Sequence, residues 1–307
     1  MRIINIGSLN LDYVYRVDTF PKPGETKSSE SLQVNAGGKG LNQSIALAKA
    51  GCQVFHAGVW GGGGQMLVEE LERYGVHTAL LLHRPEVQNG HAIIEVADSG
   101  QNSILLYGGT NQALTDEYIQ SVLEACQPGD LLLLQNETNG IAGIIEAANA
   151  RGIPIAMNIA PMNAAVAEYD LGKLRWIIVN ELEAAALAGG ENFAQTMENL
   201  SRAYPHSGIL MTLGTDGVWL RDGAEEIRMS ALKVENVVDT TAAGDTFLGY
   251  FLAGVTMGAD YVTALEQATC ASALAIQTPG AARSVPDRET LLAYWQENRH
   301  RLRLLPL

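Results

Sequence analysis

The sequence predicts an α/β fold: a three-layer α/β/α arrangement on a mostly parallel sheet, with a small β-sheet lid beside it. Three observations lead there. Beyond Asp130, short apolar runs alternate with helical patterns, the rhythm of a parallel sheet covered on both faces. The runs end repeatedly in a polar residue (Glu137, Asn158, Asn180, Thr212), and open α/β sheets bind ligands at the carboxyl ends of their strands. Any strand must end in something polar, but four together favour a site. Two β-rich stretches, about 11–38 and 88–109, break the rhythm and suit a sheet standing off the main body.

Each element follows in order. "RIINIGSL" reads as a strand, and the prolines and alternating polarity of "YVYRVDTFPKPGETKSSESLQVNAGG" suggest short strands and not a helix. From Lys39 to Ala50 the pattern turns helical, with Leu41, Ile45 and Ala48 on one face and Gly51 as the stop. "QVFHAGVW" is a strand and "QMLVEELERYG" a helix. "HAIIEVADSGQNSILLYGG" reads as a hairpin turning at "DSGQN". Then come strand "DLLLLQNE", helix "GIIEAANARG" and strand "IPIAMNIAP", followed by strand "RWIIVN", helix "ELEAAALAGG" and strand "GILMTLG".

The 307 residues suffice for one large domain or two modest ones, and 47% hydrophobic content with 32 glycines fits a soluble, enzyme-like globule. A net charge of −14 argues against nucleic acid or an anionic membrane surface as partner. Cys52, Cys126 and Cys270 are odd in number and lack metal-ligand spacing, so reduced thiols and a cytoplasmic location are expected. Asp12 interrupts the N-terminus before a signal-type segment forms, and no apolar run is long enough to span a bilayer.

Chemistry concentrates in a few motifs. In "VVDTTAAGDTFLGYFLAG", small residues precede Asp245 and an apolar helix. If "TTAAG" turns into that helix, the amides of Ala242, Ala243, Gly244 and Asp245 converge on a spot that attracts anions. Asp245 at its edge reads either as a helix cap or as the base that deprotonates a hydroxyl attacking a phosphoryl group. "NAGGKGLNQ" offers close backbone approach at a helix start, or simply a tight turn; it is not a Walker A loop, because Gly40 follows Lys39. "GSLNLD" places Asn10 and Asp12 two apart at the end of the first strand, on one face of an extended chain. An amide beside a carboxylate suits vicinal hydroxyls, and equally a turn cap.

Jointly, "GSLNLD", "GGKGLNQ", "NELE" and "DTTAAGDTF" occur in the order and spacing of the ribokinase-like (phosphofructokinase-B) carbohydrate kinases, which this chain resembles over nearly its whole length. "TLGTDGVW" and "PGAARSVP" fit that family too. The resemblance implies an ATP-dependent kinase forming one catalytic domain, 1–307, that phosphorylates the 5-hydroxyl of D-ribose. Asp245 would be the base, with the amides of Ala242, Ala243, Gly244 and Asp245 as anion hole. Asn10, Asp12, Gly38, Lys39, Asn42 and Glu137 would hold the sugar. Asn180 and Glu183 would position Mg2+ and phosphate largely through water. Thr212, Gly214 and Gly217 would lie along ATP, with Gly244 at its phosphates and Thr269 near the base. Potassium would sit beside the anion hole on Asp239, Thr241, Ala275, Thr278, Gly280 and Ser284, mostly through carbonyls. The lid stretches would also build a homodimer.

One departure is visible. Where the family carries an aspartate-containing "GDD" segment bordering the sugar, this chain has "GGGGQM" at 61–66. The rival functions are kinases of the same fold for 2-deoxyribose, fructose phosphates, ketosugar acids or nucleosides, and a catalytically silent sugar-binding protein. Asn10 with Asp12 favours a free sugar, since a deoxy sugar leaves a buried polar group unpaired. Arg16, Lys22 and Lys27 are too scattered for a phosphate clamp.

Overall fold

The computed structural model describes residues 1–307. The strands are β1 (Arg2–Ile6), β2 (Asn10–Val17), β3 (Ser31–Gly37), β4 (Gln53–Gly62), β5 (His77–Gln88), β6 (Gly90–Ala97), β7 (Asn102–Tyr107), β8 (Leu131–Gln135), β9 (Ile155–Asn158), β10 (Trp176–Asn180), β11 (Gly208–Thr212), β12 (Val218–Asp222) and β13 (Glu225–Met229). The helices are α1 (Lys39–Lys49), α2 (Gln65–Arg73), α3 (Asp116–Glu124), α4 (Ile141–Ala150), α5 (Glu181–Ala188), α6 (Phe193–Ala203), α7 (Ala243–Thr256), α8 (Tyr261–Ala275) and α9 (Arg288–Asn298).

Nine strands form the main sheet in the order β13-β12-β11-β10-β9-β8-β1-β4-β5. All neighbours pair in parallel except the β11–β12–β13 meander at one edge. Alternation along the central strands sorts side chains to opposite faces. Ile3, Leu131 and Leu133 pack with α1, α2, α7 and α8 residues such as Ile45, Leu67, Phe251 and Leu265. Ile4, Ile6, Leu132 and Leu134 pack with Ile119, Ile144, Ala184 and Met197 from α3 to α6. The expected three layers are present.

The strand order reverses beside β1, whose neighbours are β8 and β4. Loops after β1 and β8 therefore splay apart at their carboxyl ends, where α/β folds open a crevice. Above it stands a second sheet, β3-β2-β6-β7, formed by residues from both β-rich stretches. Its junction with the main sheet is tied at Leu9, whose N–H donates to Asn111 Oδ1 at 2.9 Å and whose carbonyl accepts from Asn89 Nδ2 at 3.3 Å.

One expectation needs correcting: the first strand stops at Ile6, and Asn10 and Asp12 belong to β2 of the small sheet. The cause is steric. A Cβ on Gly40 would overlap the backbone of Gly7 and Ser8, so the start of α1 presses on the chain as it leaves β1. Asn10 and Asp12 still share one face, because β2 is itself extended.

Candidate active site

Two helix N-termini meet over the crevice. Helix α7 begins after Ala242, the only non-glycine residue with positive φ (58°). A left-handed alanine costs about 1–2 kcal/mol, and here it turns "TTAAG" sharply into the helix. The N–H groups of Ala242, Gly244 and Asp245 take no protein acceptor, whereas that of Ala243 turns back to the Thr240 carbonyl at 3.2 Å. Three amides, not the expected four, are therefore free for an anion in this conformation. Helix α1 begins after Gly38, at φ 95°, where a Cβ would press on Ser8 and on the N–H of Asn10.

The helices cross where Gly249 of α7 meets Ala46 of α1, too close for any Cβ on Gly249. That contact brings α1 side chains onto Asp245, which is buried. Gln43 Nε2 donates to Asp245 Oδ1 at 2.8 Å, and Asn42 Nδ2 to Oδ2 at 3.2 Å. Asn42 Oδ1 is buried with no partner. Lys39 lines the same cavity as Asp245, whose charge pushes the Lys39 ammonium above its ordinary value.

On the sugar side of the prediction, Glu137 Oε2 accepts from the Lys39 N–H at 3.0 Å and from the Ser8 hydroxyl. Burial outweighs these bonds and raises its carboxyl. Asn10 Oδ1 accepts from Asn111 Nδ2 at 2.7 Å, leaving its own Nδ2 as donor. Asp12 is the outlier: it accepts no hydrogen bond from the protein, and burial, reinforced by Glu137, pushes its carboxyl up to about 7. Gly37, diagonal to it on β3, has no room for a Cβ, which would overlap the Asp12 carboxylate. Helix starts and sheet edges thus gather Asn10, Asp12, Gly38, Lys39, Asn42, Glu137 and Asp245. Sequence reasoning missed Ser8, Gln43, Asn111 and Gln135; "SLN" and "NQ" stood inside the quoted motifs, but nothing separated their supporting residues from those facing ligand.

Two adjoining cavities extend from this cluster. The smaller, about 250 Å³, is lined by Lys39, Asn158, Asn180, Glu183, Thr212, Ala242, Gly244 and Asp245. The larger, about 600 Å³, is lined by Gly214, Gly217, Val234, Thr269 and Ile276, and shares Asn180, Thr212 and Gly244 with the first. Thr269 Oγ1 is buried without a partner. A polar chamber at a helix N-terminus opening into a mostly apolar slot suits an anionic group attached to a flat apolar one.

Asn180 and Glu183 form a capping box: Glu183 N–H donates to Asn180 Oδ1 at 2.8 Å, and Asn180 N–H to Glu183 Oε2 at 2.9 Å. Oε1 of Glu183 and Nδ2 of Asn180 make no protein hydrogen bond, and both residues line the small cavity. A single carboxylate oxygen facing a phosphate-sized chamber fits a hydrated magnesium ion held partly by substrate phosphates. Asp239 accepts from Thr241 N–H and Gly280 N–H, both at 2.9 Å, tying the turn before α7 to the 275–284 loop. Those bonds hold its carboxyl below the usual range despite burial. Thr278 N–H donates to the Ala275 carbonyl at 3.0 Å, and the Ser284 hydroxyl turns back to the Ala281 carbonyl at 2.8 Å. One hydrogen-bonded carboxylate among carbonyls and hydroxyls is an all-oxygen set of low charge, which fits a monovalent cation better than a divalent one.

At the 61–66 departure, Gly61 is required by close packing. Gly61 N–H donates to Asn89 Oδ1 at 2.8 Å, and a Cβ on Gly61 would overlap the Val87 carbonyl. The register shift between β4 and β5 at Gly61/Gly62 brings the Pro85–Val87 segment onto Gly61, while Gly63 faces open space.

Comparison with known proteins gives the family. The family model for pfkB carbohydrate kinases matches residues 2–288.

The chain belongs to the pfkB family of carbohydrate kinases.

Among its relatives, the ribokinase of Staphylococcus aureus (strain COL) is 32% identical over 295 residues, covering 93% of this chain and 96% of that one. The deoxyribokinase of Salmonella typhi is 29% identical, covering 97% of this chain and 100% of that one. The solved structure of Arabidopsis thaliana ribokinase complexed with ribose and ATP superposes with a TM-score of 0.86 at 29% identity, covering 96% of this chain and 98% of that one. The chain is a sugar kinase of the ribokinase family. No helix is long and apolar enough to cross a membrane.

Proposed function

We propose that this kinase transfers the γ-phosphoryl group of ATP to the 5-hydroxyl of D-ribose. The observation that carries the reading is the pairing of a helix-start anion site (Ala242, Gly244, Asp245) with an unpaired, half-buried carboxylate (Asp12) across the buried base Asp245. Sugar hydroxyls would supply the donors that Asp12 lacks and an acceptor for Asn10 Nδ2, with Glu137, Lys39, Gly38 and Asn42 completing the site. A 2-deoxy sugar offers one hydroxyl fewer, so the desolvated Asp12 favours ribose over deoxyribose.

Asp245 takes the proton of the attacking hydroxyl, and the free amides receive the transferring phosphoryl group. The larger cavity takes the adenosine, with Thr212, Gly214, Gly217 and Thr269 along it. Glu183 and Asn180 would hold magnesium through water, and Asp239, Thr241, Ala275, Thr278 and Gly280 a potassium ion, Ser284 only after releasing Ala281. Bound there, the two cations supply positive charge to phosphates that meet only one side-chain cation, Lys39, in the small cavity.

The small sheet would act as a lid, and its strand β7 exposes Leu105 by 67% and Ile104 by 55%, which supports a homodimer through that sheet. Three free cysteines support a cytoplasmic location. Asp245→Asn tests the chemistry: turnover is expected to fall by roughly 10²–10⁴-fold while ribose binding survives. Near-normal turnover would remove Asp245 as base.

A further inference from the structure

Behind Asp245 lies a chain of buried side-chain amides whose directions are all forced. A carboxylate only accepts, so Gln43 must turn Nε2 toward Asp245 Oδ1 and Oε1 away. That Oε1 accepts from Gln135 Nε2 at 2.7 Å. The second hydrogen of Gln135 Nε2 goes to Asn5 Oδ1 at 2.9 Å, which leaves Gln135 Oε1 buried with no partner. Asn5 Nδ2 donates to the Gly40 carbonyl and to Ser44 Oγ, both at 2.8 Å. The Ser44 hydroxyl then donates to His56 Nδ1 at 2.8 Å, and His56 Nε2–H faces the Gly7 carbonyl at 3.2 Å. Burial pushes His56 down to about 4, so the ring stays neutral and holds this tautomer. Asn5, Gln43, Ser44 and His56 are fully buried, and Gln135 nearly so.

A folded chain does not leave the Gln135 carbonyl orphaned without compensation. Flipping Gln135 would face its Oε1 against both Gln43 Oε1 and Asn5 Oδ1, two acceptors with no donor between them. Flipping Asn5 in turn would set two carbonyls together at Gly40. The backbone carbonyls of Gly40 and Gly7 thus anchor a one-way row of donors ending on Oδ1.

We infer that Gln135 and Gln43 are positioning residues that select the proton-accepting oxygen of Asp245: Oδ1 is held as a permanent acceptor, and the substrate proton goes to Oδ2. A proton on Oδ1 would meet the Gln43 N–H head on, and Gln43 cannot turn while Gln135 holds its Oε1. Oδ2 carries only the longer bond from Asn42. In the step, the substrate O–H bond breaks and an O–H bond forms at Oδ2. The freed oxygen pair bonds to phosphorus as the bond to the nucleoside diphosphate breaks with its pair. This inference rests on Asp245 being the base.

The charged groups facing Asp245 are Lys39 at the start of α1, Glu137 after β8 and Glu183 on α5, all left in place by the test. The test is Gln135→Met, which keeps volume and removes the donor, read by single-turnover phosphoryl transfer from MgATP to D-ribose across pH. The rate is expected to fall about ten-fold, because Gln43, no longer held by Gln135, ceases to be a fixed donor to the Asp245 carboxylate. The acidic limb of its pH profile moves up, because the Gln43 donor to the ionised carboxylate is no longer fixed. Equilibrium binding of D-ribose and MgATP stays within about two-fold of the parent, since neither ligand touches Gln135. An unchanged rate and limb, or a slower rate with an unmoved limb, would overturn the inference, the latter marking a merely structural residue. Gln43→Met removes the donor to Oδ1 itself and carries the test if Gln135→Met fails to fold. Asp245→Asn separates the two readings: turnover surviving there defeats the base, whereas an inactive Asp245→Asn beside a parent-like Gln135→Met defeats the relay alone.

Discussion

Sugar binding is expected to weaken about ten-fold as the pH falls from about 8 to about 6, and Asp12 is the reason. Its carboxyl is raised to about 7 because the small sheet buries it beside Glu137 without giving it a donor. With that value roughly nine-tenths of the population is ionised at about pH 8 and one-tenth at about pH 6. Sugar hydroxyls bond the ionised form more strongly, so the apparent dissociation constant follows that fraction. Calorimetric titration of D-ribose across this range, in buffers of differing ionisation heat, measures the affinity and about half a proton released per sugar near pH 7. Asp12→Asn binds more weakly at high pH and loses the pH dependence. Parent affinity flat across the range, or a dependence that survives Asp12→Asn, would refute the reasoning.

The same residue links function to stability. A carboxyl raised on folding favours the native state below its unfolded value and loses that advantage as the pH rises through about 7. Asp12→Asn is therefore expected to raise the melting temperature of the ligand-free protein at pH 8 but not at pH 4, and equal shifts at both would count against burial as the cause. Gly249→Ala forces α7 away from Ala46 and is expected to cost about 1–3 kcal/mol, with a drop in kcat as Gln43 and Asn42 lose Asp245; denaturant unfolding and kinetics check both. Ala242→Gly relieves the left-handed alanine and is expected to stabilise by less than about 1 kcal/mol, read by thermal melting. If the proposed lid-mediated dimer forms, Leu105→Glu on β7 is expected to convert it to monomer in analytical ultracentrifugation; a monomeric parent or an unchanged mass would count against that dimer.

Much of this architecture was legible because short apolar runs such as "LLLLQ" and "WIIVN" alternate with helical patterns, as strands buried on both faces do. The 98–101 turn was equally plain from its glycine and polar residues. Strand β5 escaped notice since Pro85, two histidines and a bulge disguise it as a loop, and its half-exposed residues lack a clear period. The β12–β13 hairpin was hidden by its charged residues: Asp222 pairs with Arg175, and Arg228 lies over the Trp219 ring. At the site, motif spacing marked Asn10, Asp12, Lys39 and Asp245, yet Gln135 looked like an ordinary strand end. Its importance depends on a partner ninety-two positions away, Gln43, and on which way two amides point. Neither is written in local sequence.

The most direct test of the account is ADP release from MgATP with D-ribose, 2-deoxyribose, fructose 6-phosphate and adenosine, each in potassium and in sodium. The account predicts turnover on ribose that exceeds deoxyribose, is stimulated by potassium, and yields ribose 5-phosphate. A faster reaction on another acceptor, or ribose binding with no turnover on any, would contradict it.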